Sequence, residues 1–246
     1  MNQGVKVLIG HASDLHGKLT PILTNTREPH LWVLTGDLWP NKTRGDASIE
    51  IPFQTEFIEK NVADLRKAFG GKPVLVIDGN HCYAPTVELF KKHGIDARQV
   101  ELERKTVEFR TKDILTGDGG SRAALTYAGF REIPYIAGEW MGEVSDQAVM
   151  TSLVDKVVGE SPNLLITHCP ANGIMDNRYG ASREGVFGYG IPQLTSQLFY
   201  RPHSIKAHLF GHIHQVPGEE VHTAEDGHKI VFSNAACTLR FVEVEL

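Results

Sequence analysis

Short apolar runs alternate along the chain with amphipathic stretches. Most of the apolar runs lack the polar–apolar alternation of a half-exposed strand, so we expect protein to cover both of their faces. The tail, Phe241–Leu246, does alternate and predicts a half-exposed strand. The predicted strands are Val5–Ile9, Leu31–Leu34, Val74–Ile77, Thr106–Arg110, Leu125–Ile136, Leu164–Thr167, Ala207–Phe210, Ile230–Phe232 and Phe241–Leu246.

Apolar residues at helical spacing occupy several segments between these strands. In Gln54–Phe69 the apolar side chains fall on one helical face, and Gly70-Gly71 then predicts the end of that helix. The other predicted helices are Pro85–His93, Asp146–Val158 and Pro192–Tyr200. We find no internal repeat and no linker, so the pattern predicts one α/β domain with a mixed sheet arrangement over residues 1–246.

Composition narrows the classes of function. The 25 Lys and Arg against 30 Asp and Glu give a net charge of −5, which disfavours a protein that grips a long nucleic acid. A small phosphorylated substrate is compatible with this charge. Three cysteines in 246 residues do not make a disulfide framework and favour a reducing cytoplasm. No apolar run approaches the roughly 20 residues of a membrane span, and the N-terminus does not resemble a signal peptide.

Residues that commonly bind metals follow five of the predicted strands, usually beside glycine. In open α/β sheets, sites form outside the carboxyl ends of the strands, so we expect these side chains to converge. Glycine lets the backbone turn sharply there. The candidate ligands are Asp14, His16, Asp37, Asn80, His168, His212 and His214.

This ligand set indicates a particular kind of metal centre. Mixed nitrogen and oxygen donors suit Mn²⁺, Fe²⁺, Zn²⁺ or Co²⁺ better than Mg²⁺ or Ca²⁺. Seven ligands are too many for one tetrahedral ion, but they fit two ions that share a bridging carboxylate. Two such ions can hold the phosphate group of an ester during its hydrolysis, and a water that bridges the ions becomes the nucleophile.

Five short motifs in this order resemble the calcineurin-like metallophosphoesterases. They are D-x-H at Asp14 and His16, G-D at Asp37, G-N-H at Asn80 and His81, T-H at His168, and G-H-x-H at His212 and His214. The resemblance implies a central β-sandwich of mixed sheets flanked by helices, and two divalent transition-metal ions, of which Mn²⁺ is favoured.

The resemblance also implies a role for each motif residue. One ion would be held by Asp14, His16 and His214, and the other by Asn80, His168 and His212. Asp37 would bridge them, and a hydroxide between the ions would be the nucleophile. His81 would contact the phosphate and act as the general acid that protonates the leaving oxygen. An alkoxide is a poor leaving group without a proton.

Within the family, Thr167–Asp176 resembles the T-H-x-P-P-x-G-x-x-D stretch of small phosphodiesterase-like members. This implies a phosphodiesterase that acts on a small substrate such as a cyclic nucleotide.

The chain departs from the family pattern at two positions. Ala171 stands in place of the second proline, and Cys82 stands where the family mostly carries Asp or Glu. The G-D-x-x-D-R-G motif of protein phosphatases is absent after Gly36, which disfavours a phosphoprotein substrate and leaves His81 without an assigned acidic partner.

Other functions compete with this interpretation. A phosphomonoesterase, including a protein Ser/Thr phosphatase, would use the same ligands. A non-catalytic calcineurin-like scaffold would be expected to lose ligands, and this chain keeps all of them. A nuclease is disfavoured by the acidic net charge. The sequence does not indicate an oligomeric state.

Several residues near the motifs are candidates for contact with substrate. They are Arg178, Tyr179, Arg183 and Tyr189 in a glycine-rich stretch, with Trp39 and Tyr83 as candidates for the pocket wall. Cys82 and Cys169 directly follow motif residues and admit two interpretations. They are either redox-sensitive thiols at the metals or small buried apolar residues, and the second is favoured.

Overall fold

The computed structural model describes residues 5–110, 122–177 and 188–246. The strands are β1 Lys6–Ser13, β2 Leu31–Leu34, β3 Val74–Val76, β4 Ala97–Gln99, β5 Lys105–Arg110, β6 Arg122–Phe130, β7 Ile133–Pro134, β8 Glu143–Val144, β9 Leu164–Thr167, β10 Ala207–Phe210, β11 Gly218–Thr223, β12 Lys229–Asn234 and β13 Thr238–Glu245. The helices are α1 Thr20–Leu23, α2 Ala47–Phe69, α3 Thr86–Lys92, α4 Gln147–Gly159 and α5 Pro192–Tyr200.

Two mixed sheets form the centre of the molecule. The first has the order β13-β1-β2-β3-β4, and only β13 runs antiparallel to its neighbour. The second has the order β11-β12-β10-β9-β6-β5, with β11 and β5 as its antiparallel edges. The parallel strands of each sheet therefore end along a common edge, where ligand sites form in such sheets.

The core consists of three apolar layers. Alternate residues of the first sheet, such as Ile9 and Val33, pack against Leu125 and Leu209 of the second. The opposite face of the first sheet packs on α2 and α3, and that of the second packs on α4 and α5. Both faces of each sheet are covered, which explains the continuous apolar runs of the strands. The predicted α/β sandwich of mixed sheets flanked by helices is confirmed.

Most predicted elements occur where the pattern placed them, and β2, β9, β10 and α5 have the predicted bounds. Helix α2 begins at Ala47 rather than Gln54, because the Asp46 side chain accepts a hydrogen bond from the Ser48 amide and caps the helix. Pro52 lies inside this helix. The predicted strand Leu125–Ile136 is divided, since β6 ends at Phe130 and the chain then turns into the short β7.

None of the helices in the described ranges is both long enough and apolar enough to cross a membrane.

The buried His208 makes stability depend on pH. Its ring packs against Phe210 at a centroid distance of 4.8 Å, and burial lowers its pKa from 6.5 to about 3. Between these values the unfolded chain binds one more proton than the folded protein, so stability falls as pH falls, by about 1.4 kcal/mol per pH unit. In urea titrations of metal-free protein from about pH 6 to about pH 4, we expect the slope to be smaller by about this amount in His208→Leu. The buried His11, whose pKa is also lowered to about 3, keeps its own contribution to the slope.

Phe210→Leu provides the control for this measurement, because it removes a buried ring beside His208 without removing a titratable group. It should leave the dependence of unfolding free energy on pH unchanged. An equal slope in wild type and His208→Leu would contradict the assignment.

Candidate metal centre

The structure brings all seven candidate ligands and His81 to one place, where the carboxyl ends of the two sheets meet. Strands β1, β2 and β3 of the first sheet lead into one half of the set, and β9 and β10 of the second lead into the other. Buried Asp14 and Asp37 lie at the bottom, and His214 is partly exposed at the opening. The set is Asp14, His16, Asp37, Asn80, His81, His168, His212 and His214.

One cluster of donor atoms contains Asp14, His16 and His214. Their nearest ligand atoms all lie within 4.8 Å of one another. Asp14 Oδ1 is 3.0 Å from His214 Nε2, and the rings of His16 and His214 are 5.2 Å apart. One cation at the centre of this cluster could contact all three side chains.

A second cluster surrounds the side-chain oxygen of Asn80. Asn80 Oδ1 is 2.9 Å from His168 Nε2 and 3.1 Å from His212 Nδ1. Asp37 Oδ2 lies 3.3 Å from the same nitrogen of His168. Asp37 also falls within 4.8 Å of ligand atoms of Asp14 and His168, so its carboxylate lies between the two clusters.

Hydrogen bonds across the sandwich hold the two halves together. His168 Nδ1 donates to the Thr35 carbonyl oxygen at 2.7 Å, and the His212 amide donates to Asp14 Oδ2 at 2.8 Å. A carbonyl oxygen can only accept, so Nδ1 of His168 carries a proton and Nε2 is the nitrogen that faces the centre. A metal ion at the centre would bind His168 through Nε2, once that nitrogen has lost its proton.

Backbone strain is concentrated at the same residues. Asp14, His16, Asp37 and His212 have φ values of 51°, 44°, 54° and 67°. Left-handed backbone is uncommon outside glycine and costs about 1–3 kcal/mol per residue. Four of the seven candidate ligands therefore adopt a conformation that the surrounding structure must hold in place.

Two motif glycines are required because other atoms approach them closely. A Cβ on Gly79 would overlap the Asp37 carboxylate, and a Cβ on Gly211 would overlap the side chains of Ser13 and Asp14. The glycines of G-N-H and G-H-x-H therefore make room for the carboxylates of the centre.

Substitution of Gly79 should consequently disturb the metal centre. We expect Gly79→Ala to push the Asp37 carboxylate aside and to lower Mn²⁺ affinity by about tenfold or more, measured by calorimetric titration. The control is Gly159→Ala at the end of α4, where a Cβ would meet nothing within 4 Å. Equal Mn²⁺ affinity in the two variants would contradict this role of Gly79.

The charges of the centre fit cations. Burial raises the pKa of Asp37, but the neighbouring His168 outweighs burial and holds that pKa below its usual range. Burial lowers the pKa of His168, but the Asp37 carboxylate outweighs it and raises the pKa to about 9. His212 has its pKa lowered to about 4 by burial and by His168. The two buried carboxylates therefore attract positive charge, which the metal-free protein supplies as a proton on His168 and which two divalent ions could supply instead.

The segment that follows Asn80 supports Asp37. The His81 amide donates to Asp37 Oδ1 at 2.8 Å, and the Asp37 amide donates to Cys82 Sγ at 3.2 Å. Cys82 is buried, and burial raises the pKa of its thiol well above its usual range, as it does for Cys169. Neutral buried thiols agree with the interpretation of both cysteines as small apolar residues.

His81 lies beside both clusters, and its ring has no hydrogen-bonding acidic partner among the described residues. Within the described chain, its buried Nδ1 atom has no hydrogen-bond partner. Its ring packs on Trp140 at a centroid distance of 4.2 Å and on His16 at 5.3 Å. The ring of Trp140 therefore orients the His81 imidazole in place of an acidic side chain.

A cavity of about 610 Å³ opens above the centre. Its floor contains Asp37, Asn80, His81, His212 and His214. Its wall contains Arg44, Tyr135, Ile136, Trp140 and Tyr189. The volume suits a small-molecule substrate.

The sequence interpretation identified only part of this wall. Tyr189 is present as expected, but Trp39 is buried in the core and donates through Nε1 to Thr86 Oγ1 at 2.8 Å. Arg178, Tyr179 and Arg183 lie outside the described residues. Tyr135 was missed because Leu125–Ile136 was predicted as one strand, and Trp140 because no element was predicted for the segment that follows it. Gly138 and Gly142 in that segment indicate a loop.

No curated protein matches this chain. Among the solved structures that match is NAD nucleotidase from Haemophilus influenzae, with 10% sequence identity and a TM-score of 0.49, over 98% of this chain and 53% of that chain. This chain thus spans about half the length of that protein.

A family model describes most of the chain. The model of the calcineurin-like phosphoesterases matches residues 7–216, a range that contains every candidate ligand and His81. The chain therefore belongs to the calcineurin-like phosphoesterase family, a family of metal-dependent phosphohydrolases.

Proposed function

We propose that this protein hydrolyses small phosphoesters with two divalent transition-metal ions bound at the candidate centre. The observation that carries the proposal is the pair of adjacent donor clusters with the Asp37 carboxylate between them. Asp14, His16 and His214 would hold one ion. Asn80, His168 and His212 would hold the other, and Asp37 would bridge them.

The bound ions would supply an activated water and would neutralise charge on the phosphate oxygens. The protein contributes the positions of the reacting groups. The hydrogen bonds from His212 to Asp14 and from His81 to Asp37 fix the two carboxylates before substrate arrives. Preorganised groups of this kind do not have to reorient during the reaction.

His81 is the proposed general acid. It lines the cavity floor without being part of either donor cluster. Burial lowers its pKa, and the carboxylates of Asp37 and Asp14 partly offset that effect. An anionic phosphate beside the ring favours the protonated imidazole further, so that a proton is available for the leaving oxygen.

The favoured substrate is a phosphodiester of small size, such as a cyclic nucleotide. Support comes from the resemblance of Thr167–Asp176 to phosphodiesterase-like members and from the cavity volume of about 610 Å³. A phosphomonoesterase would use the same ligands. Several divalent transition-metal ions suit these ligands, and Mn²⁺ is the favoured ion among them.

The activity test uses protein loaded with Mn²⁺. Hydrolysis of bis-p-nitrophenyl phosphate faster than p-nitrophenyl phosphate would support a diesterase, and the reverse order would support a monoesterase. Turnover of neither ester would contradict the proposal, as would equal turnover by Asp37→Ala.

Metal binding should also stabilise the fold. An ion that binds only the folded protein at 100 times its Kd adds about 2.7 kcal/mol of stability. For a chain of this length we expect Mn²⁺ to raise the Tm of EDTA-treated protein by about 5–10 °C. Differential scanning fluorimetry measures the shift, and a Tm independent of Mn²⁺ would contradict metal binding.

A further inference from the structure

Large apolar side chains are exposed at the mouth of the cavity. Tyr135 is 57% exposed, Ile136 50% and Tyr189 39%, and all three line the cavity. Exposed apolar groups that cluster around one opening mark a binding surface. The cavity therefore has a floor of candidate metal ligands and a rim in which these three side chains accompany the charged Arg44.

A single carboxylate organises most of this rim. We call residues 135–143 the rim loop. Glu143 Oε2 accepts from the amides of Ile136, Ala137 and Gly138 at 2.7–2.9 Å, and Oε1 accepts from the Trp140 amide at 3.0 Å. Four hydrogen bonds to one charged group give this loop a defined shape before any ligand arrives.

The rim loop is also fastened to the metal centre. The Met141 amide donates to the carbonyl oxygen of the candidate ligand Asn80 at 3.2 Å, and Trp140 packs on His81. The Tyr135 ring lies against Gly138, where an added Cβ would stand 3.2 Å from ring atoms. Contact with the rim loop therefore holds the Tyr135 ring beside the cavity.

We propose that Tyr135 and Tyr189 bind a planar aromatic ring carried by the alcohol part of the substrate, of about the size of a nucleobase. This assignment rests on the proposed function, because it places the phosphate over the candidate metal centre and the ring at the rim. Tyrosine supplies a large rigid surface at low entropic cost and stacks on any flat π-system. A flexible alkyl chain would gain less from such a surface.

The kinetic test compares two substrates with the same leaving oxygen. One is adenosine 5′-phosphate and the other 1-O-methylribose 5-phosphate, or the methyl diesters of both if diesters are preferred. The pair differs in the base and not in the reacting bond. We expect kcat/KM to favour the adenosine compound by on the order of tenfold or more, as stacking of one base on aromatic side chains allows.

Variants of the rim assign the preference to its residues. Tyr135→Ala and Tyr189→Ala should each reduce the preference toward unity, and Tyr135→Phe should retain it because the ring remains. Tyr200→Ala is the control, since Tyr200 is 68% exposed and lies on α5 beside a different groove. A wild-type preference near unity, or a preference unaffected by both rim substitutions, would overturn the inference.

A binding measurement separates this inference from the proposed function. Saturation-transfer NMR with adenosine alone needs neither phosphate nor turnover. We expect saturation of the base protons above that of the ribose protons, lost in the Tyr135→Ala/Tyr189→Ala double variant and retained in Tyr200→Ala. Absence of base saturation would overturn the ring site. Base saturation in a protein that hydrolyses no phosphoester would support the ring site and contradict the hydrolase.

Discussion

Replacement of Asp37 by Asn should abolish hydrolysis and weaken binding of both metal ions. The substitution keeps the size of the side chain, and its oxygen can still accept the amide hydrogen of His81. It removes a carboxylate that lies close to ligand atoms of both donor clusters, and an amide offers one oxygen instead of two. We expect kcat/KM to fall by about 10³-fold or more, since loss of a single preorganised charge-stabilising group has costs of this order.

The measurement combines Mn²⁺ content after dialysis with turnover at saturating Mn²⁺. Asp78→Asn is the matched control, because Asp78 is also largely buried but belongs to neither donor cluster. Its carboxylate faces Arg131 at 3.9 Å instead. Full Mn²⁺ content in Asp37→Asn, or an equal loss in Asp78→Asn, would refute the bridging role.

Replacement of His81 by Gln should slow hydrolysis by an amount that depends on the leaving group. A positioned general acid contributes about 10²–10⁴-fold when the leaving alkoxide needs a proton. For p-nitrophenolate, a stable anion, we expect a much smaller loss. Metal content should stay at the wild-type level, because His81 is outside both donor clusters.

The diagnostic quantity is the ratio of the two losses. kcat is measured for an alkyl ester and for the p-nitrophenyl ester with wild type and His81→Gln. His222→Gln, on the surface strand β11, serves as the control. A loss of equal size for both esters would indicate that His81 binds phosphate without donating a proton.

The candidate ligands could be read from the sequence because chemistry and topology coincide there. Asp14 directly follows β1 and His168 directly follows β9, and both residues belong to short sequence motifs. A parallel strand delivers the residue after its carboxyl end to a common edge, so local order along the chain carries spatial information. Their metal-binding roles remain predictions to be tested by the substitutions above.

The residues of the cavity wall could not be predicted from the sequence in the same way. Tyr135 and Trp140 belong to a loop whose shape depends on four hydrogen bonds to Glu143, and the pattern of apolar residues does not predict such bonds. Trp39 shows the opposite error, since it follows a motif residue but turns into the core. Near a motif, direction of the side chain is set by packing rather than by position in the chain.

The pattern of apolar runs and the order of the motifs determined the fold class, the strand edge that holds the site and the identity of its candidate donors. Tertiary structure alone decided how close Asp37 comes to both clusters, which nitrogen of His168 faces the centre and which aromatic rings face the opening. The reason is that strand direction and residue type are local properties. Donor distances and loop shape arise from hydrogen bonds between segments far apart in the chain, such as those from His212 to Asp14 and from His168 to Thr35.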